Sequence, residues 1–409
     1  MPAFDSDRRQ QVVAPVFALL ILAVPAIPEA NPSSLLWTAP SILAAAMLIA
    51  WAAESAQFFM AQGFALAILA WLQTLPEFAV EAVLAWKQQV PLLMANLTGA
   101  LRLLTGLGWP MIYFTAWGFH RKRTGQNLGP IHLKDDHCVE VIGLAASMAY
   151  MVVVWWKGSL NVLDAAILIG IYLAYLALLT RMPPEESDTI DELERIPRAI
   201  VCARKPVRIL AIAGLFIAGG ALIYFMAEPF LASLLALSTS LGVPSFVFVQ
   251  WVAPLVSEFP EKVSAFYWAR TVERASTALM NMVSSNINQW TLLAAMLPIT
   301  YSLSRGVLSA IPLDGLQELE LALTLAQALV GLLFLMDMQL EWWEAAGLFV
   351  LWAVQFVFSA TGVSVHRYVT AAYLAWAVVE MGRMAARRRP PAAVQLFGVM
   401  CKRHFGRVR

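Results

Sequence analysis

"TLPEF" at Thr74 to Phe78 and "SEFPEK" at Ser257 to Lys262 each place a proline and a glutamate inside a long apolar stretch. A proline removes one intrahelical hydrogen bond and crowds the preceding turn. An ionised glutamate is costly in hydrocarbon and commonly marks an ion or proton path. A chain that makes both choices twice has a use for freed carbonyls and carboxylates at two matched points.

The surroundings are those of a membrane protein. Of 409 residues, 60% are hydrophobic and only 13% charged, against about a quarter charged in soluble domains. The windows 209–227, 229–257, 275–304 and 345–365 carry no charge at all, and each reaches the roughly 20 apolar residues that span a bilayer as a helix. Charge-free runs and breakers predict helices near 11–28, 35–61, 64–86, 92–117, 139–156, 160–180, 208–237, 245–269, 276–302, 316–336, 343–360 and 365–382. The expected fold is an all-α polytopic bundle of about twelve transmembrane helices. The first of these also has the features of a cleaved signal peptide, with Arg8-Arg9 ahead of a short apolar run.

The net charge of +1 hides an uneven distribution. Basic residues gather at Arg8-Arg9, at Arg121-Lys122-Arg123, between Arg195 and Arg208, and in the tail after Arg387. With twelve spans these segments fall on one side, which the positive-inside rule makes cytoplasmic. Both termini and the 181–207 linker are therefore expected in the cytosol of a multi-pass protein of the cell membrane. The basic runs read as solvated loop ends, not as a nucleic-acid surface. Cys138, Cys202 and Cys401 lie in or beside them and read as reduced thiols. The five histidines show no metal-ligand spacing, and no GxxxxGK[ST] loop indicates ATP-driven transport. No catalytic residue is assigned and no cofactor is expected: the chain reads as a transporter, not an enzyme.

The two halves repeat one another. "WAAESAQFF" with Glu54 matches "FMAEPFLAS" with Glu228; Asn96 of "NLTGALRLL" matches Asn281 of "NMVSSNINQ"; "WWKGSLNVLDAAILIGIYLAYL" matches "FLMDMQLEWWEAAGLFVLWAVQF". Each copy holds about five helices, an odd number, so the second must enter the membrane in the opposite orientation. The expected organisation is an extra segment at 1–34, a first repeat at 35–180, the linker at 181–207, a second repeat at 208–360, and an extra helix with a basic tail at 361–409. In inverted repeats the binding site lies near the midplane, where interrupted helices of both copies meet.

These motifs resemble the cation/calcium exchanger superfamily, whose members carry Gly-Thr-Ser-Leu-Pro-Glu in one helix and Gly-Ser-Asn with a later Asn or Asp in the next, once per repeat. Gln73-Thr74-Leu75-Pro76-Glu77 fits the first element, and Ser257 with Phe259-Pro260-Glu261 fits it in the second repeat. Ser284-Ser285-Asn286 and the following Gln289 fit the second element there. The first repeat departs: Gly99 is followed by Ala100, Leu101 and, at the later amide, Leu104, so three oxygen ligands are replaced by carbon. The family glycine is Leu72 in one copy and Val256 in the other.

The resemblance implies a secondary antiporter that moves calcium or another inorganic cation against sodium or protons across a lipid bilayer. The implied cation ligands are Glu77 and Glu261, joined by Thr74, Ser257, Glu258, Ser284, Ser285, Asn286 and Asn288. Gln73, Glu81 and Arg102 are expected to modulate the site. Glu81 reads equally as a second pathway carboxylate or as a partner of Lys87. Glu54 and Glu228 read as bundle supports. Arg102 lies about 15 Å inside its span at 1.5 Å per residue and needs a carboxylate, for which Glu77 is the leading candidate. The competing reading is a transport-incompetent relative, with Arg102 in place of the missing cation and a structural or sensing role. The blandest reading of Glu77 and Glu261 is a pair of intramembrane carboxylates satisfied by a neighbouring serine or arginine.

Overall fold

The computed structural model describes residues 31–56, 59, 74–181, 195–359, 363–387 and 390–405. The expected first span at 11–28, Leu72 and Gln73 of the first Pro-Glu element, and residues 182–194 of the 181–207 linker lie outside the described residues. What is described is almost entirely helical: α1 Leu35–Ala56, α2 Leu75–Trp86, α3 Val90–Leu103, α4 Trp109–Thr124, α5 Cys138–Lys157, α6 Val162–Leu179, α7 Arg195–Cys202, α8 Lys205–Ser240, α9 Ser245–Ser257, α10 Phe259–Ala269, α11 Ala275–Asn288, α12 Ala294–Arg305, α13 Gly315–Leu335, α14 Trp342–Phe358, α15 Val363–Ala386 and α16 Ala392–Phe405. Six described helical segments are long and apolar enough to cross a membrane: 32–56, 90–124, 135–157, 162–179, 205–240 and 315–335.

The Pro-Glu motifs open helices. Pro76 stands in the first turn of α2 and Pro260 in the first turn of α10, where a missing N–H costs nothing because no intrahelical acceptor exists for it. The helix expected over 245–269 is therefore two, α9 and α10, divided at Glu258. Glu77 and Glu261 each lie in the first turn of the new helix.

Two further devices recur. Between α3 and α4 the helix widens into a π-segment at Leu104–Gly108, and between α11 and α12 at Gln289–Leu293. These begin at the two positions that the motif alignment pairs, Leu104 and Gln289. Such widenings are rare and often accompany function. The second device is a capping box at the start of α6, Asn161 with Asp164, and again at the start of α14, Glu341 with Glu344. Each satisfies backbone donors that the first turn leaves without partners.

Short strands tie the halves together reciprocally. β1 Ile131–His132 pairs antiparallel with β4 Gln339–Leu340, and β2 Ser159–Leu160 pairs with β3 Ile311–Pro312. Each pair joins the segment before one half's α5-like helix to the segment after the other half's. The tail also differs from expectation: beyond Pro391 it folds as α16, packed on α5 with the Ala393 N–H bonded to the Met336 carbonyl at 3.0 Å. The eight residues of α7 form the short helix of the linker.

Gly99 is where α3 crosses α9. A Cβ there would lie 1.9 Å from the Gln250 carbonyl oxygen, a backbone atom that cannot step aside. Gly99→Leu is expected to cost at least the roughly 1–3 kcal/mol of ordinary overpacking and to abolish a monodisperse peak in size-exclusion chromatography; an unaltered profile and melting temperature would contradict this crossing.

Candidate cation-binding site

α2, α3, α10 and α11 meet with α9 around a buried set of carboxylates and amides. Glu77 is 1% exposed and Glu261 6%. Gln289, at the start of the second π-segment, donates its Nε2 to Glu77 Oε2 at 2.8 Å and to Glu258 Oε1 at 2.7 Å. One amide nitrogen thus joins the first Pro-Glu helix to the break beside the second. Glu258 Oε2 is ion-paired with Lys262, one turn on and equally buried. Ser285 donates to Glu261 Oε1. Asn288 donates to Thr74 Oγ1 at 2.6 Å, a second link between the halves. Glu81 accepts from Asn96 Nδ2 at 3.1 Å. Glu77 interacts electrostatically with Glu258, Glu81 and Glu261.

Several oxygens are left over. Glu77 Oε1, Glu81 Oε2, Asn96 Oδ1, Asn286 Oδ1 and Gln289 Oε1 are buried without a hydrogen-bond partner. A buried unpartnered acceptor costs about 1–3 kcal/mol, more when charged. Oxygens are what hard cations bind. Among the described residues, however, no three His, Cys, Asp or Glu side chains gather tightly enough to hold a metal ion.

The remaining expected ligands are placed as follows. The Ser257 hydroxyl donates to its own helix at the Ala253 carbonyl, 3.1 Å. Asn286 reaches across to Thr105 Oγ1 at 2.9 Å, inside the first π-segment. Ser284 is half-buried, with its hydroxyl 3.1 Å from the Tyr175 hydroxyl. Glu81 does not pair with Lys87, whose ammonium instead meets Glu228 where both are well exposed. That pair ties α2 to α8, as the reading of Glu228 as a support expects. Ala100, Leu101 and Leu104 are fully buried apolar groups.

Arg102 is the principal correction. Its partner is Glu320 of α13, with Nη2 2.5 Å from Oε2, not Glu77. Its Nη1 donates to Gln355 Oε1 at 3.1 Å and its Nε to the Thr98 carbonyl at 3.1 Å. The Trp251 ring lies 5.3 Å from the guanidinium. Gln250 Nε2 adds a 2.7 Å bond to the same Glu320 oxygen, and His366 of α15 faces the other. Gln327 completes the network by donating to the Arg102 carbonyl and accepting from Gln355, both at 2.9 Å. The fork of donors on a guanidinium suits such a multi-armed anchor better than a lysine would.

Gln289 matches the motif in sequence but is not among the expected ligands, and Lys262 enters the sequence reading only as the last residue of "SEFPEK". Glu320, Gln250, Gln327, Gln355 and His366 are not expected from the sequence; for Gln250, Gln327 and Gln355 the one signal is a polar residue in an otherwise apolar window.

Comparison with known proteins assigns the chain to a family. The model of the sodium/calcium exchanger protein family matches residues 33–181 and 211–361, once in each half. The chain belongs to this family. The crystal structure of the H+/Ca2+ exchanger CAX is 31% identical, covers 97% of this chain and 98% of its own, and superposes with a TM-score of 0.87. Native YfkE shares the fold at 15% identity, covering 86% of this chain and 98% of its own, with a TM-score of 0.62. The sodium-calcium exchanger NCX_Mj does so at 15% identity, covering 80% and 97%, with a TM-score of 0.52. No curated protein matches the chain. Exchangers of this family are multi-pass membrane transporters of inorganic cations. His366 of α15 lies just beyond the second matched segment, so the Arg102 network draws on a helix outside the family match.

Proposed function

We propose that the chain is a secondary active antiporter that moves calcium against protons, by alternating access around the cluster of Glu77, Glu81, Glu258 and Glu261. The observation that carries this is Gln289, whose single amide nitrogen joins Glu77 of one Pro-Glu element to Glu258 beside the other. Glu77 and Glu261 would be the principal ligands, with oxygens from Thr74, Ser285, Asn286 and Asn288 completing a set for an ion that takes six to eight. Proton coupling is favoured over sodium by the likeness to the H+/Ca2+ exchanger across nearly the whole of both chains. The reciprocal strand pairs, the paired π-segments and the paired capping boxes support two inverted five-helix repeats with one extra helix at each end, about twelve spans in all. Twelve spans would bring both termini and the linker to one side, which the positive-inside rule makes the cytosol of a cell-membrane protein.

A second reading, a transport-incompetent relative, is favoured by the carbon side chains at Ala100, Leu101 and Leu104. The commitment of Arg102 to Glu320 counts against the guanidinium standing in for the cation.

Proteoliposomes loaded with a calcium-sensitive dye separate these. An outward proton gradient imposed alone is expected to drive calcium uptake, and a sodium gradient alone is not. Uptake under neither gradient would overturn the antiporter reading. Within it, Gln289→Leu removes the shared donor and is expected to lower calcium affinity roughly tenfold, the scale of losing a group that orients a ligand; an unchanged affinity in a binding titration would remove Gln289 from the site.

A further inference from the structure

Four buried glutamates converge at the site, and one basic side chain is buried with them. Lys262 is 5% exposed, directly follows Glu261 and reaches back across the α9–α10 break to Glu258. Glu258 is fully engaged, with one oxygen on the Lys262 ammonium and the other on Gln289. Glu77 and Glu81 each retain an oxygen without a partner. Glu258 can therefore ligate an incoming ion through Oε2 only when the ammonium leaves it. Among the described residues two Lys or Arg side chains are buried, and they differ in how they are held. Arg102 is fixed by three separate acceptors, whereas Lys262 has a single carboxylate partner and a flexible four-carbon stem.

We propose that Lys262 is a tethered cation of the transport site: its ammonium occupies Glu258 in the ion-free state and is displaced by the transported ion, so that it sets the site's affinity for divalent cations. The proposal rests on the antiporter reading and concerns how that site discriminates. A resident positive charge repels a divalent ion twice as strongly as a monovalent one at the same distance. It also holds together carboxylates that would otherwise repel one another in the ion-free state. The cost of displacing it weakens calcium binding and leaves the ion easier to release.

The test is isothermal titration of the purified full-length chain with calcium, comparing wild type, Lys262→Met and Lys262→Arg. Removing the charge is expected to tighten calcium binding about tenfold, while Lys262→Arg, which keeps the charge, stays within about threefold of wild type. Lys262→Gln, which keeps a donor for Glu258 without the charge, serves if Lys262→Met does not fold, and the same tightening is expected. Equal affinity in wild type and the neutral variants, or weaker binding in the latter, would overturn the proposal and leave Lys262 a structural partner of Glu258. Absence of calcium binding in wild type and neutral variants alike would instead overturn the reading of the cluster as a calcium site.

Discussion

Glu77→Gln, and separately Glu261→Gln, is expected to reduce calcium exchange by roughly two orders of magnitude while leaving the protein folded and inserted. The two residues occupy matched first-turn positions, one in each half of the chain. A carboxylate supplies the charged oxygens that calcium needs, and it can also carry the proton that returns; an amide of equal size supplies neither in full. The effect should be close to total in each single variant, because a ligand lost from either half leaves the ion bound from one side only. Structural damage is not expected, since Gln can still accept from Gln289 or from Ser285. Exchange rates within a factor of three of wild type, for protein with an unchanged melting temperature, would show that the pair serves the bundle and not the ion.

The second large effect concerns the Arg102 network. Glu320→Ala leaves a fully buried guanidinium without its counter-charge, and breaking such a pair from one side costs about 3–5 kcal/mol. A marked fall in melting temperature and in the yield of folded protein is expected. Replacing both partners by apolar groups of similar size, Arg102→Met with Glu320→Met, is expected to recover most of the loss, because buried ion pairs contribute little net stability over a packed apolar contact. Because Arg102 is occupied by Glu320, Thr98 and Gln355, the double variant should bind calcium as wild type does. A double variant as unstable as Glu320→Ala would contradict this, as would a shift of more than about tenfold in calcium affinity.

The sequence made several long apolar helices legible because a helix that crosses a membrane must be apolar along its whole length, a strong one-dimensional signal. The observed Val90–Thr124 and Asp135–Lys157 segments lie close to the expected 92–117 and 139–156. The division at Glu258 was not legible, because a proline inside a long, mostly apolar stretch reads alike whether it bends one helix or starts another. α16 was read as a basic tail because its helix carries three basic residues near its end and lies against α5, a contact that local composition does not report.

Within the site, Glu77 and Glu261 stood out because carboxylates beside prolines are rare at that depth. Their surroundings were harder to read. The carboxylate facing Arg102 lies 218 residues away in the chain, and pairing at that separation depends on how α3 packs against α13. Motif alignment favoured Glu77 because both residues belong to one repeat, whereas the fold satisfies the guanidinium from the other half. Glu81 illustrates the same point: four residues from Glu77, it is met by Asn96 of the next helix and not by the lysine near the end of its own.

The account turns on where the ion binds, and anomalous diffraction from crystals soaked in strontium, a heavier stand-in for calcium, addresses that directly. A single strong peak is expected among the carboxylates of Glu77, Glu258 and Glu261, at oxygen distances close to the roughly 2.3–2.6 Å of calcium sites, with the Lys262 ammonium turned away from Glu258. A peak beside Glu320 and His366, or none at a saturating concentration that supports transport, would contradict it.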